Sequence, residues 1–437
     1  MATITRRIGL SLGADICWAA AFEDILRDLD LSIPQGKDTI KLACERLTIE
    51  PYDLRDEVGY DLVIDRLTHW FTPRREWIKK AVLLDGVYVW NNPWTVQAME
   101  KHTTYCAMMR LGLPIPKTRI LPPKEYEPKT DLRVTLERYA RLFDVAAQGQ
   151  AVGYPLFMKP FDGGGWVGVS KVDDAADLCT AYEASGRAMM HLQQGIVPFD
   201  AFVRGLGIGP QFHVMRYDPS QPLHGRYLPD DDFLAPADAA VVRDTTLTIN
   251  AFFGWDFNSC EMLGQAGTWY PIDFANPCPD SQVTSLHCHW PWLVLAKVRW
   301  AVFCAATKRR FVHNQNWQPY FDVAAKDLPQ REKLAAYARL AAAHFEATRF
   351  EDFCGQHLGQ LDALAHDYFG SSRCHDAVRQ KVEALYPKIE VEAFTERFWQ
   401  GVQTWRARQQ QDAGAARVAA SQANPADKGN SAKGNKR

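Results

Sequence analysis

Over the first ninety residues, short apolar runs alternate with amphipathic stretches. Residues 6–12, 40–48, 60–67 and 87–90 have the length and β-branched content of strands, whereas 18–29 and 73–83 carry apolar residues at helical spacing. That order predicts a small α/β layer around a mostly parallel sheet. Gly9 and Gly13 in the first turn do not make a dinucleotide fingerprint, so no nicotinamide cofactor is expected. Further along, 255–263 and 267–274 read as strand, turn around Gly264 to Gly267, strand, with Glu261 near the end of the first and Asp273 and Asn276 near the end of the second. Residues 290–306 are apolar almost throughout, broken by Lys297 and Arg299, and predict a helix buried under a neighbouring domain; the run is too short and too charged to span a bilayer. Alanine- and leucine-rich stretches at 333–349, 377–386 and 394–406 predict further helices. Residues 409–437 hold no aromatic side chain and are expected to be a disordered tail.

At 437 residues the chain exceeds what one core serves, so two or three packed units are expected. A charged fraction of 23%, an apolar fraction of 47% and a net charge of -2 describe a soluble globular protein, with no basic balance to suggest nucleic acid. No apolar stretch of signal-peptide length precedes Asp15, so a cytoplasmic protein is expected. The ten cysteines stand singly, without a Cys-x-x-Cys pair, and read as reduced and buried. His287, Cys288 and His289, with Cys278 nearby, lack a second ligand pair at zinc spacing and read as polar residues flanking a buried thiol.

Two segments carry chemistry. Met158-Lys159-Pro160 closes an apolar run and is followed at once by Phe161, Asp162, Gly163, Gly164 and Gly165. A strand that ends in a lysine and turns through three glycines can bring bare amides and one cation to an anion, above all a chain of phosphates. A flexible hairpin with a solvated lysine is the plain alternative. A hundred residues on, Glu261, Asp273 and Asn276 offer hard oxygen ligands from paired strands, the set magnesium takes while bridging phosphates.

In this order the blocks resemble the ATP-grasp superfamily, particularly its carboxylate-amine ligases, over residues 89–280. Asn91-Asn92-Pro93, a helix opening at Lys101 and a Gly112-x-Pro-x-Pro strand make the first block; 155–169 the strand and glycine-rich loop; Leu192-Gln193-Gln194-Gly195-Ile196 the hinge strand; Phe202-Val203-Arg204-Gly205 the arginine strand; Glu261, Asp273 and Asn276 the metal ligands. The resemblance implies an α/β and α+β architecture, an ATP-grasp fold with a small N-terminal α/β domain (1–98), an ATP-gripping pair of α+β halves (99–290), a helical C-terminal extension (291–408) and the tail (409–437). It implies ATP and Mg2+ as cofactors, with Lys101, Lys159, Gly163, Gly164, Gly165, Gln193, Gln194, Ile196, Arg204 and Arg216 around the nucleotide and Arg204 and Lys159 in the catalytic role. Asp65 and Arg66 are substrate candidates by position, with a solvated salt bridge as their plainer reading. The acidic and aromatic stretch Tyr227 to Phe233, with Asp230, Asp231 and Asp232, is a candidate border of the substrate.

Two features depart from the family. Its metal strand usually ends in a glutamate two residues before the asparagine, whereas Asp273 stands three before Asn276 and reaches a cation only if the strand bulges. The hinge has Gln193 and Gln194 where an acid is common, leaving Asp200 as a substitute ribose contact. The expected activity is amide-bond formation between a carboxylate and an amine, small-molecule or peptide, through an acyl phosphate. A small-molecule kinase and a catalytically silent ATP-binding protein remain the alternatives, and a homodimer without nucleic-acid or membrane partners is the expected state.

Overall fold

A computed structural model describes residues 2–48, 51–68, 71–97, 101–127, 131, 133–134, 143–161, 167–230 and 232–422. The chain forms two compact units. The first comprises Met1–Gly13, Leu31–Asp280 and Arg299–Leu358; the second takes Ala14–Asp30, Ser281–Val298 and the chain from Gly359 onward.

The first unit holds three sheets. The N-terminal sheet has the order β2-β3-β1-β4-β5, from β1 (Thr3–Ser11), β2 (Ile33–Gln35), β3 (Asp38–Arg46), β4 (Leu62–Asp65) and β5 (Tyr88–Trp90). All its pairs are parallel except β2 with β3, as the alternating pattern predicts. Val63 and Val89 from its centre pack with Ile78, Ala81 and Val82 of the helix Thr72–Asp85.

A four-stranded sheet follows, in the order β6-β9-β7-β8, from β6 (Thr118–Leu121), β7 (Leu156–Pro160), β8 (Ser170–Val172) and β9 (Met190–Gln194). Leu156, Met158, Val172 and Leu192 turn inward onto Val152 and Leu178 of the helices Val145–Val152 and Ala175–Glu183. The latter helix starts at Asp174, whose carboxylate accepts the N–H groups of Ala176 and Asp177. Gly112-x-Pro-x-Pro precedes β6 as loop rather than strand.

The third sheet, β12-β11-β10-β13-β14, is antiparallel: β10 (Ala201–Ile208), β11 (Gln211–Tyr217), β12 (Tyr227–Leu228), β13 (Phe257–Gln265) and β14 (Thr268–Asp273). Val203, Cys260 and Met262 bury one face against the helix Pro236–Phe253. Gly205 and Gly207 permit that approach, since a Cβ at either would strike Thr246 or Asn250 of the helix.

Helices make up much of the remainder, as expected. Trp290–Ala306 forms as predicted, and the division between units falls within it. In the first unit Trp300 and Phe303 pack on Phe350. In the second, Lys297 stands 3.4 Å from the ring centre of Trp18 in the helix Cys17–Leu29. The stretch expected as one helix over 333–349 is broken: Gln330–His344 and Ala347–His357 are separated at Glu346, whose φ is +51°. The last helix, Val391–Gln422, runs past the expected end, so residues 409–422 are helical where disorder was expected. Alanine- and glutamine-rich sequence without proline continues a helix already started. Residues 423–437 lie outside those described. Among the described residues no helix is long and apolar enough to cross a membrane.

Candidate active site

A cavity of about 370 Å³ lies in the first unit, with walls drawn from β7, β9, β10, β11, β12, β13, β14 and the start of the helix Lys101–Arg110. Strand alternation determines which side chains reach it. On β7, Leu156 and Met158 go to the core, whereas Phe157 and Lys159 line the cavity. On β10 and β13 the residues beside Val203 and Met262, namely Arg204 and Glu261, take the cavity face and stand directly opposite each other in register. Glu261 sits in the middle of its strand, not near the end as expected.

Asp273 depends on an irregularity. Met262 pairs with Pro271, but Glu261 pairs with Asp273, so Ile272 is an extra residue in β14. Regular pairing would have set Asp273 opposite Cys260, which faces the core; the bulge brings it instead across from Glu261 on the cavity face. The bulge is fastened by Tyr105, whose hydroxyl donates to the Ile272 carbonyl at 2.8 Å. Tyr105 lies one turn beyond Lys101, so the same bond helps hold Lys101 Nζ 3.6 Å from Asp273.

The remaining polar groups are similarly placed. Asn276 donates its backbone N–H to Asn258 Oδ1 at 3.0 Å and its Nδ2 to Ser259 Oγ at 2.8 Å, which leaves the carboxamide oxygen as the group it can offer a cation. Lys159 donates to Gln193 Oε1 at 2.9 Å. Burial lowers the Lys159 pKa, with Asp273 acting against that shift and Lys101 adding to it. Arg204 bonds to Glu261, and its guanidinium carbon lies 5.7 and 5.5 Å from the ring centres of Tyr217 and Tyr227. Burial works against its charge, but Tyr227 and Glu261 more than offset this and raise its pKa. Its Nε is buried without a hydrogen-bond partner.

Of the residues singled out from sequence, Lys101, Lys159, Gln193, Gln194, Ile196, Arg204, Glu261, Asp273 and Asn276 all line this cavity. Gly163, Gly164 and Gly165 lie outside the described residues, as does Asp231. Arg216 does not belong to it: the register pairs it with Val203, placing it on the opposite face from Arg204, where it meets Asp230 at 3.0 Å near solvent. Asp200 is no ribose contact, because its carboxylate accepts the Ala266 N–H in the β13–β14 turn. Asp65 and Arg66 are not a solvated pair. Asp65 is buried and accepts the N–H groups of Leu67 and Thr68, while Arg66 donates to the Pro279 carbonyl.

Sequence reading missed Tyr217, Arg226 and Asp280 in the cavity wall. Tyr217 had a usable signal, since it follows Met215 at strand period on the cavity face of β11. His191 was also missed. It shares the face of Gln193 but is fully buried, opposite Lys159, with neither ring nitrogen hydrogen-bonded.

Magnesium and ATP can be tested against this arrangement. Among the described residues no three His, Cys, Asp or Glu side chains cluster for a metal. Two carboxylates and a carboxamide oxygen nevertheless share one wall, the donor chemistry suits a hard cation, and Lys101, Lys159 and a partly unsatisfied Arg204 surround them as a polyphosphate needs. The residues fit both groups.

The chain is similar to solved ATP-grasp structures. A RimK domain ATP-grasp protein from Sphaerobacter thermophilus superposes with a TM-score of 0.41 at 14% identity, covering 63% of this chain and 92% of that one. D-alanine–D-alanine ligase from Bacillus anthracis, solved with ATP, gives 0.45 at 13% over 69% and 97%. The VanG D-Ala:D-Ser ligase from Enterococcus faecalis gives 0.44 at 14% over 77% and 100%. No protein-family model and no curated protein matches the chain. At such identities and TM-scores these are likenesses only, and the cavity's geometry stands by itself.

Proposed function

We propose that this chain is an ATP- and magnesium-dependent ligase of the ATP-grasp type, joining a carboxylate to an amine through an acyl phosphate with release of ADP. The observation that carries this reading is the convergence in one cavity of Lys101, Lys159, Arg204, Glu261, Asp273 and Asn276, drawn from across 176 positions of sequence (276 minus 101, plus one). Lys101 and Lys159 hold the α- and β-phosphates, and Arg204 stabilises charge on the phosphoryl group in transfer. Glu261, Asp273 and Asn276 would hold magnesium, which when bound neutralises phosphate charge as the terminal bond loosens. A substrate carboxylate oxygen takes the γ-phosphoryl group and ADP leaves; an amine nitrogen then attacks the acyl carbon, phosphate leaves and the nitrogen gives up a proton. Positioning does most of the work.

On the same reading, residues 1–98 precede the ATP-gripping pair at 99–290, and the enzyme is a cytoplasmic homodimer. A displaced Asp273 would support a silent nucleotide-binding protein, and its pairing with Glu261 around Ile272 speaks against that alternative. One observation favours a kinase as second reading: Asp280 lines the cavity and could serve as base toward a hydroxyl. The test is ADP release from Mg-ATP with pooled carboxylates, with and without hydroxylamine. Hydroxamate formed with ADP supports the ligase; ADP with a phosphorylated alcohol and no hydroxamate selects the kinase.

A further inference from the structure

The carboxylates assigned to magnesium are already engaged. Glu261 is bonded to Arg204, its direct partner across the ladder, and Asp273, opposite Glu261 on the other side, faces Lys101 Nζ at 3.6 Å. Three of the four groups are largely withdrawn from solvent, with the Lys101, Arg204 and Glu261 side chains 9%, 14% and 13% exposed, and Asp273 is 31% exposed toward the cavity. A divalent cation arriving alone would stand beside a guanidinium and an ammonium in a weakly screened wall. A polyphosphate arriving alone would find Lys159, bonded to the neutral Gln193, but would meet Arg204 and Lys101 with their charge already answered by carboxylates. When both arrive, each unlike charge finds a new partner: the phosphates take Arg204 and Lys101, and the metal takes Glu261 and Asp273.

Resting on the nucleotide reading above, we infer that Arg204 and Lys101, besides meeting the phosphates, guard this site: they keep a free divalent cation off Glu261 and Asp273, so that metal and nucleotide enter as one unit. Neither ion pair alone suffices, because the bulge places both carboxylates in one wall and either, if bare, would attract the cation.

The test is Mn2+ binding to the full chain, followed by the electron spin resonance of free Mn2+, with and without a non-hydrolysable ATP analogue. Wild-type protein should bind Mn2+ at least about 30-fold more tightly with the analogue, and by reciprocity the analogue should gain the same factor from Mn2+. The double variant Arg204→Gln, Lys101→Met should bind Mn2+ alone at least about tenfold more tightly than wild type. Arg204→Lys keeps the charge and should still exclude the ion, which separates exclusion from mere disturbance of the wall. Equal Mn2+ affinity with and without analogue, or no gain in the double variant, overturns the inference while leaving the nucleotide reading intact. An analogue that binds in neither condition defeats the nucleotide reading and this inference with it.

Discussion

Two arginines in the first unit have nearly the same neighbours and different tasks. Arg204 and Arg309 each lie over two aromatic rings and each pair with a glutamate: Arg204 with Tyr217, Tyr227 and Glu261, Arg309 with Tyr88, Trp300 and Glu346. The difference is how many of their donors are used. Arg309 gives Nε to the Tyr88 hydroxyl at 2.8 Å, Nη1 to Glu346 and Nη2 to the His344 carbonyl at 2.6 Å, with buried Asp256 held by Tyr88 and Trp300 close by. Arg204 opens onto a cavity with a buried Nε unanswered. A buried arginine with a partner on every nitrogen is a structural pin, whereas one left short of partners beside a cavity is kept for a ligand.

The comparison is broken most readily at Arg309. Arg309→Met strands the Asp256 network in the interior and should cost about 3–5 kcal/mol in urea unfolding. Arg204→Met leaves Glu261, 13% exposed, without its cation, but water in the adjoining cavity can reach the carboxylate, so the loss should be smaller, about 1–3 kcal/mol. Equal losses would mean that Arg204 is also a pin.

Turnover should show the reverse ordering. Asp273→Ala, Lys159→Ala and Arg204→Met should each lower ADP formation by about 10²–10³, or roughly 2.7–4 kcal/mol, with the fold kept. Assays of ADP release beside circular dichroism check both halves. Unchanged turnover in Asp273→Ala and Lys159→Ala would remove the proposed assignment of those residues.

Why the cavity was largely readable and parts of it were not follows from the range of the interactions involved. Period-2 alternation around Lys159, Arg204 and Glu261 is local, and so is the continuous apolar run of Trp290–Ala306; both survive folding as written. The Ile272 bulge is not local. It is fixed by pairing with Glu261 and Met262 and by Tyr105 from 167 residues away, so sequence could state only the condition under which Asp273 would reach the site. Arg216 failed for the same reason, since the turn between β10 and β11 sets a register that places it beside Val203. The second unit was the least legible. It joins Cys17–Leu29 to Leu361–Tyr368 and Ser372–Glu383 through contacts such as Arg373 with Asp28, over 345 positions, and no composition change marks such a partner.

Each region also contains a histidine kept neutral, which extends the comparison to pH. Burial pushes the His191 pKa down to about 2, with Lys159, His102 and Lys101 adding to the effect, and burial with Arg309 pushes His344 down to about 4. In the unfolded chain both rings take a proton below the ordinary value of 6.5. Their contribution is therefore full above pH 6.5 and is lost as pH falls, through the window 6.5 to 4 for His344 and onward toward 2 for His191. The slope is at most about 1.4 kcal/mol per pH unit each, and less for half-buried His344. His191→Leu should flatten the acid limb of unfolding free energy between pH 6.5 and 4; an unaltered limb would show that His191 is protonated in the fold.

The smallest effect sharpens the comparison most, because it concerns an arginine one strand from Arg204. Arg216 is exposed, pairs with Asp230 across two half-exposed side chains and faces away from the cavity. Such a pair is worth at most about 1 kcal/mol and is weakened further by salt. Arg216→Ala should therefore leave ADP formation within about twofold of wild type and move the unfolding free energy by no more than about 0.5 kcal/mol. Neighbouring arginines on adjacent strands would then differ by two orders of magnitude in turnover for one reason, the face that strand register gives each. A loss in Arg216→Ala matching that in Arg204→Met would mean that the ligand reaches past the edge of the sheet, and the boundary of the site would have to be redrawn to include Asp230 and the other face of β11.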